Sequence, residues 1–172
     1  MYILLNGAFG IGKTTVAKSL RRLLVDAVIL DPERIGLVLQ RLPGYRRSDF
    51  QHLAAWRRLT VVWGRTVGRF RPTVIIPMAF SEPAYLNEVR SGLGATGRPV
   101  LHFCLTAPLH VVRERLAARG EPLSDPHWAW VHRRAAECCQ AHERPEFAVQ
   151  VPTAGLSPEA IAAALVPLVL AG

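Results

Sequence analysis

Gly7-Ala8-Phe9-Gly10-Ile11-Gly12-Lys13-Thr14 is the stretch on which the reading of this chain turns. It fits G-x-x-x-x-G-K-[ST] at every fixed position, with the apolar run Tyr2-Ile3-Leu4-Leu5-Asn6 before it and a helical pattern after it. The residue types follow from what a polyphosphate needs. Glycines let the backbone curl until successive N–H groups converge on phosphate oxygens. The helix that follows aims its positive end at the same oxygens. Lys13 adds a point charge between the β- and γ-phosphates, the Thr14 hydroxyl is placed to ligate Mg²⁺, and Thr15 continues the cradle. The expected ligands are therefore ATP or a related nucleoside triphosphate, with Mg²⁺, held by Gly7, Ala8, Phe9, Gly10, Ile11, Gly12, Lys13, Thr14 and Thr15.

Working outward, short β-type runs alternate with longer helical patterns. Strands are expected at 2–6, 27–31, 73–77, 100–105 and 147–151. Helices are expected over roughly 13–25, 32–41, 50–69, 82–93, 108–119 and 127–142, with a last one opened by Ser157-Pro158. Such alternation predicts an α/β fold in three layers, a five-stranded parallel sheet with helices on both faces. The near-continuous apolar strands suit burial on two sides. No linker, repeat or low-complexity segment divides the chain, so residues 1–172 are expected to form one domain.

Composition narrows the class further. Half of the 172 residues are hydrophobic and a fifth charged, a globular balance. Met1 leads directly into a strand with no basic leader, and the longest apolar run, Ala160 to Ala171, is shorter than a bilayer span and carries Pro167. A cytoplasmic protein is expected, at most touching a membrane from one side. Cys104, Cys138 and Cys139 show neither disulfide nor metal spacing and read as small buried hydrophobes. Lys and Arg total 21 against 13 Asp and Glu, a net charge of +8. That excess raises nucleic acid as a partner, but it is scattered in small groups without a basic arm or an aromatic-interleaved stripe, so nucleic acid is not expected.

Other segments carry a family resemblance. Ile3 to Thr14, Asp31-Pro32-Glu33 with Gly36, Asp49-Phe50-Gln51 with Trp56-Arg57, Pro77-Met78 with Pro83, Tyr85 and Glu88, and His102-Phe103 through Arg113 and Arg115-Leu116 resemble tunicamycin-resistance proteins. The likeness covers the chain to about residue 150. It implies an offshoot of the small-molecule kinases, similar to shikimate, gluconate and chloramphenicol kinases, with sheet order 2-3-1-4-5 and a short lid. It also implies an ATP-binding protein that protects against tunicamycin, a uracil nucleoside bearing sugars and a fatty acyl tail. Phosphotransfer from ATP to a hydroxyl of the drug is the first expectation, as a monomer or homodimer. Sequestration of the drug without chemistry is the alternative, and a nucleic-acid-related kinase or ATPase a weaker one.

Several residues are candidates for the chemistry. Asp31 ends the second expected strand, on the carboxyl edge where ligands of such sheets collect, and can take a proton from an acceptor hydroxyl or bind the metal through water. The third strand ends Ile75-Ile76-Pro77-Met78 with no acid, so Asp31 and Thr14 are the expected metal contacts. Glu33, two residues after Asp31, is with it a further expected substrate contact, although the dipole alone favours an acid at the start of a helix. Arg113, Arg115 and Arg119 precede the turn 120–126; by resemblance this is a lid, about 113–134, whose arginines close on phosphates and stack on the base. Arg115 and Arg119 share a helical face, and Arg119 is expected with Asp31 and Lys13 in the catalytic set. Arg133 and Arg134 lie beyond the lid turn. The insertion at about 32–70, which includes a loop with Pro43, Gly44, Arg46 and Arg47, is by resemblance the acceptor site. Asp49, Gln51, Trp56 and Arg57 fall there, with Trp56 placed to stack on a uracil and Gln51 to bond its edge. Thr153-Ala154-Gly155 follows the fifth strand, where adenine lies against backbone in such folds.

Overall fold

Tyr2–Gly7, strand β1, is buried over its whole length because it is the middle strand of the sheet. The computed structural model describes residues 1–39, 49–147 and 149–172. Along them β1 is followed by α1 (Lys13–Leu23), β2 (Ala27–Ile29), α2 (Glu33–Leu39), α3 (Ala54–Gly68), β3 (Thr73–Met78), α4 (Pro83–Gly94), β4 (Val100–Thr106), α5 (Leu109–Ala118), α6 (Ala129–Ala141), β5 (Val149–Pro152) and α7 (Pro158–Leu170). The strands form one parallel sheet in the order β2-β3-β1-β4-β5. The expected fold class and strand order are both present.

Alternation along β1 divides the interior in two. Ile3 and Leu5 face one way, onto Val16 and Leu20 of α1 and Ile161 and Leu165 of α7. Tyr2 and Leu4 face the other, onto Trp56 of α3 and Leu86, Val89 and Leu93 of α4. Asn6 is the buried polar side chain of β1, and it has a partner. Its Oδ1 accepts from Phe80 N–H at 2.8 Å and its Nδ2 donates to Phe80 C=O at 3.0 Å. This ties the end of β1 to the loop leaving β3, next to the phosphate-loop sequence. Cys104 and Cys138 are buried free thiols, pushed up by desolvation to about 12 and about 11. Among the described residues no helix is long and apolar enough to cross a membrane.

Four boundaries differ from the expectation, each for a local reason. The helix expected over 50–69 is broken: Phe50–His52 is a 3₁₀ turn capped by Asp49, whose carboxylate accepts from Gln51 N–H at 3.3 Å, and Leu53 is extended before α3 begins. The helix expected at 127–142 likewise opens with a 3₁₀ turn, Pro126–Trp128, capped by Asp125. Phe147 closes a third such turn rather than opening the fifth strand. Asp31 does not end β2: the strand stops at Ile29, Leu30 N–H still reaches Ile75 C=O at 2.9 Å, and Asp31 stands just past the edge. The loop with Pro43, Gly44, Arg46 and Arg47, the end of the helix expected to 41, and Ala148 of the fifth expected strand lie outside the described residues.

His102 of β4 is buried on the α4 side, and neither ring nitrogen has a partner among the described residues. Burial, with Arg90 nearby, lowers its pKa to about 4; burial also lowers that of His142 to about 4. Both imidazoles are thus neutral in the fold but take up protons once unfolded below the ordinary value of 6.5. Stability should therefore fall as pH drops from about 6.5 toward 4, by up to ~3 kcal/mol per histidine. Urea denaturation of the wild type and His102→Leu across that range checks this. The variant should be at least as stable at neutral pH and lose stability less steeply on acidification.

Candidate functional site

At the end of β1 the chain curls back on itself. Gly10 (φ 80°) and Gly12 (φ 102°) both occupy the left-handed region, which side chains with a Cβ disfavour. A Cβ on Gly10 would also approach Leu116 Cγ to 2.6 Å, so α5 packs directly on the loop. Ala8 C=O accepts twice: from Ile11 N–H at 3.2 Å and from the Lys13 ammonium at 2.9 Å. Gly12 caps α1 without a side-chain bond, leaving the first N–H groups of the helix for a ligand.

Lys13 is buried, and desolvation lowers its pKa, opposed most by the charge of Glu33. Its hydrogen-bond partner is a neutral carbonyl, and its ammonium lies 5.5 Å from the centre of the Phe9 ring. A buried cation held by neutral groups is an anion site in waiting. A polyphosphate fits it, and Thr14 and Thr15 stand exposed on the first turn beside it. Phe9 meets Trp130 of α6 edge-on at 5.5 Å, so the loop also touches α6.

The three expected lid arginines separate. Arg115 is spent on the scaffold. Its Nη1 donates to Ile11 C=O and Thr153 Oγ1, both at 3.0 Å, and its Nη2 to Thr153 C=O at 2.7 Å. It straps the phosphate loop to the turn after β5. Thr153 is itself fully buried and bonded to Thr106 C=O. Arg119 is half exposed and pairs with Glu121. Arg115, Arg119, Gly12, Thr15, Leu156 and Ile161 line a cleft of about 270 Å³ beside the loop, next to the turn where a base is expected. Arg113 points elsewhere, its Nε buried without a partner among the described residues.

Glu33 is within reach of the Lys13 charge, and Asp31 stands beside Glu33. Asp31 Oδ1 accepts from Glu33 N–H at 3.0 Å, fixing the start of α2. The Glu33 side chain meets solvent, yet the cleft walls push its carboxyl above the usual range; Lys13 and Arg119 oppose that shift and Asp31 adds to it. Glu33 thus feels the charges of Lys13, Asp31 and Arg119, and Lys13 feels those of Glu33 and Arg119.

The expected acceptor contacts have other employment. Gln51 is buried, with Oε1 accepting from Ser81 N–H at 3.0 Å and Nε2 donating to Asp49 Oδ2 at 2.8 Å and Ser81 Oγ at 3.0 Å. Arg134 approaches Asp49 Oδ2 to 2.7 Å, off the N–H axis and so an ion-pair contact rather than a hydrogen bond, and also pairs with Glu137. Arg57 bonds Glu88 and Gln51 C=O, both at 2.6 Å, with its guanidinium 4.1 Å from the Tyr85 ring centre. Trp56 is in the core against Phe50 and Phe80, and its Nε1 donates to Pro32 C=O at 2.8 Å. Together they brace the edge of a second cavity of about 550 Å³ bounded by His52, Ser81, Glu82, Arg134, Glu137 and Arg144. Ser81, Arg144 and Glu121 carried no signal in the sequence. Arg134 is buried where its neighbour Arg133 is exposed, a difference that only tertiary packing reveals.

Residues 3–144 match the family described as an AAA domain. No curated protein sequence matches the chain. Among solved structures, the tunicamycin resistance protein of Deinococcus radiodurans is 32% identical, with a TM-score of 0.78 over 98% of this chain and 94% of that one. A shikimate kinase from Acinetobacter baumannii (17% identity, TM-score 0.64, 99% and 93% of the two chains) and a gluconokinase from Sinorhizobium meliloti 1021 (17%, 0.69, 99% and 92%) share the fold.

ATP with Mg²⁺ should raise the melting temperature of the wild type, since binding to the native state alone adds ~2.7 kcal/mol at a ligand concentration 100 times Kd. Lys13→Ala should keep the fold and lose most of the gain. A wild type whose melting does not respond to saturating ATP·Mg²⁺ contradicts the reading.

Proposed function

The chain belongs to the AAA domain family and to that of the tunicamycin resistance protein; on that premise we propose that it transfers the γ-phosphoryl group of ATP to a hydroxyl of a tunicamycin-like uracil nucleoside. The observation that carries this reading is the acidic pair at the start of α2, Asp31 bonded to Glu33 N–H at 3.0 Å, with the Glu33 carboxylate close enough to the phosphate-loop Lys13 for each to feel the other's charge. A carboxylate at that edge favours chemistry over storage because it can take the proton of an acceptor hydroxyl.

In this reading the curled backbone of Gly7 to Thr14 and the Lys13 ammonium hold the β- and γ-phosphates. Arg115 holds the loop in register with the turn after β5, where the base would lie. A magnesium ion would rest on the Thr14 hydroxyl, with Asp31 reaching it through water; when bound it neutralises phosphate charge. Asp31 orients the acceptor hydroxyl and accepts its proton as the new O–P bond forms and the bond from Pγ to the β,γ-bridging oxygen breaks, releasing ADP. Arg119 closes on the transferring group, where charge must be matched while the phosphoryl is between its two oxygens. Phosphoryl transfer asks little covalent chemistry of the protein, so placement of these charges carries most of the acceleration.

Mass spectrometry of tunicamycin after incubation with protein and ATP·Mg²⁺ tests the proposal. A gain of one phosphoryl group is expected. Asp31→Asn should still be stabilised by ATP but lose transfer by ~10²–10⁴-fold. Unchanged drug that co-purifies with the protein would mean sequestration instead. Full transfer by Asp31→Asn would remove Asp31 from the chemistry.

A further inference from the structure

Residues two apart in a helix point to different sides and cannot pair. Arg119 and Glu121 nevertheless meet in a two-point contact, Nε to Oε1 at 2.8 Å and Nη2 to Oε2 at 2.6 Å. The reason is Gly120. It ends α5 in the left-handed region, φ 88°, and turns the chain so that Glu121 doubles back toward the last helical turn. Glu121 is anchored there through both of its backbone polar groups. Its N–H donates to Leu116 C=O at 3.0 Å, and its C=O lies 2.8 Å from Nε2 of His132, a buried residue of α6.

The two partners differ in burial in a telling way. The Glu121 side chain is 13% exposed and the Arg119 side chain 56% exposed. The carboxylate is therefore the fixed member and the guanidinium the presented one. Exposed ion pairs contribute little to stability as a rule; a two-point guanidinium–carboxylate contact with one partner anchored is the geometry that fixes direction. The contact occupies the Nε–Nη2 edge of the guanidinium, and Nη1 has no partner among the described residues. Arg119 lines the cleft beside Gly12 and Thr15, and its charge is felt by Lys13 and Glu33.

We propose that Glu121 is a positioning residue: it holds the Arg119 guanidinium by one edge so that the free edge meets the transferring phosphoryl group, with Gly120 as the turn that makes this possible. This rests on the reading of Arg119 as the group that closes on that phosphoryl. It adds a fixed support for a side chain that would otherwise sample many rotamers on the surface. Fixing such a group ahead of the reaction matters because displacement of about 1 Å can cost ~10²-fold.

The test measures binding of ADP·Mg²⁺ with and without aluminium fluoride, which stands in for the phosphoryl group in transit. In the wild type, fluoride should tighten ADP binding. Glu121→Gln keeps the shape but breaks the ion pair, and should lose about tenfold or more of that tightening while ADP alone binds within about twofold of wild type. Gly120→Ala keeps both charges but strains the turn, and should show the same split. Equal weakening of ADP with and without fluoride in both variants, or undiminished tightening, overturns the positioning role. A wild type with no fluoride effect overturns it as well, by removing Arg119 from the phosphoryl. A wild type that shows the fluoride effect but leaves tunicamycin unmodified sinks the choice of acceptor and leaves Glu121 in place.

Discussion

A lysine ammonium buried against a carbonyl, with its charge unmatched by any bonded carboxylate, is the constraint to which the rest of this molecule answers. Transfer of Lys13 into the loop costs solvation, which is why its proton is held less tightly than usual. Ala8 C=O receives the ammonium and Gly10 and Gly12 permit the curl, while the open amino end of α1 adds positive potential that a bound anion would answer. The central position of β1 makes the loop rigid from below: Asn6, the last side chain before it, is locked to both backbone groups of Phe80. From above, α5 presses on Gly10 through Leu116, and Arg115 binds Ile11 to Thr153.

The same frame explains a division of labour among the charged residues. Glu33 and Arg119, whose charges reach Lys13, and Asp31 beside Glu33 are exposed or partly exposed, with room to exchange partners. Those one step back, Arg57, Arg134, Asp49 and Gln51, are linked to one another and to Ser81 in a largely buried polar network. Such a network is firm only when nearly all of its donors and acceptors are used, and here each side chain has at least two partners or a close ion pair. It borders the cavity of about 550 Å³ beside Ser81 and Arg134.

Much of this was legible in the sequence, and the remainder was hidden for identifiable reasons. The phosphate loop declares itself because its chemistry is local: eight consecutive residues and the two elements around them carry the whole signal. Strand order came with the family resemblance, and β1, apolar up to Asn6, reads as internal. Side-chain destinations were another matter. Trp56 and Gln51 occupy the insertion as expected, but both point inward, onto Pro32 and Ser81. Helical spacing does not tell a core aromatic from one that lines a site. Arg115 and Arg119 share a face on any helical wheel, yet one straps backbone and the other is held by Glu121. That difference depends on contacts with Thr153, far along the chain, and on a single left-handed glycine. Arg133 and Arg134 are adjacent and identical, and only the packing of α6 buries one of them.

The chain has two lysines, Lys13 and Lys18, so lysine-labelled NMR offers a two-signal view of the central claim. The Lys13 ammonium should titrate below the ordinary lysine value in the free protein, because burial disfavours its charge. Addition of ATP·Mg²⁺ should shift its resonance and raise its pKa as phosphates supply the missing negative charge. A Lys13 that titrates like a solvated lysine and ignores the nucleotide would contradict the account at its foundation.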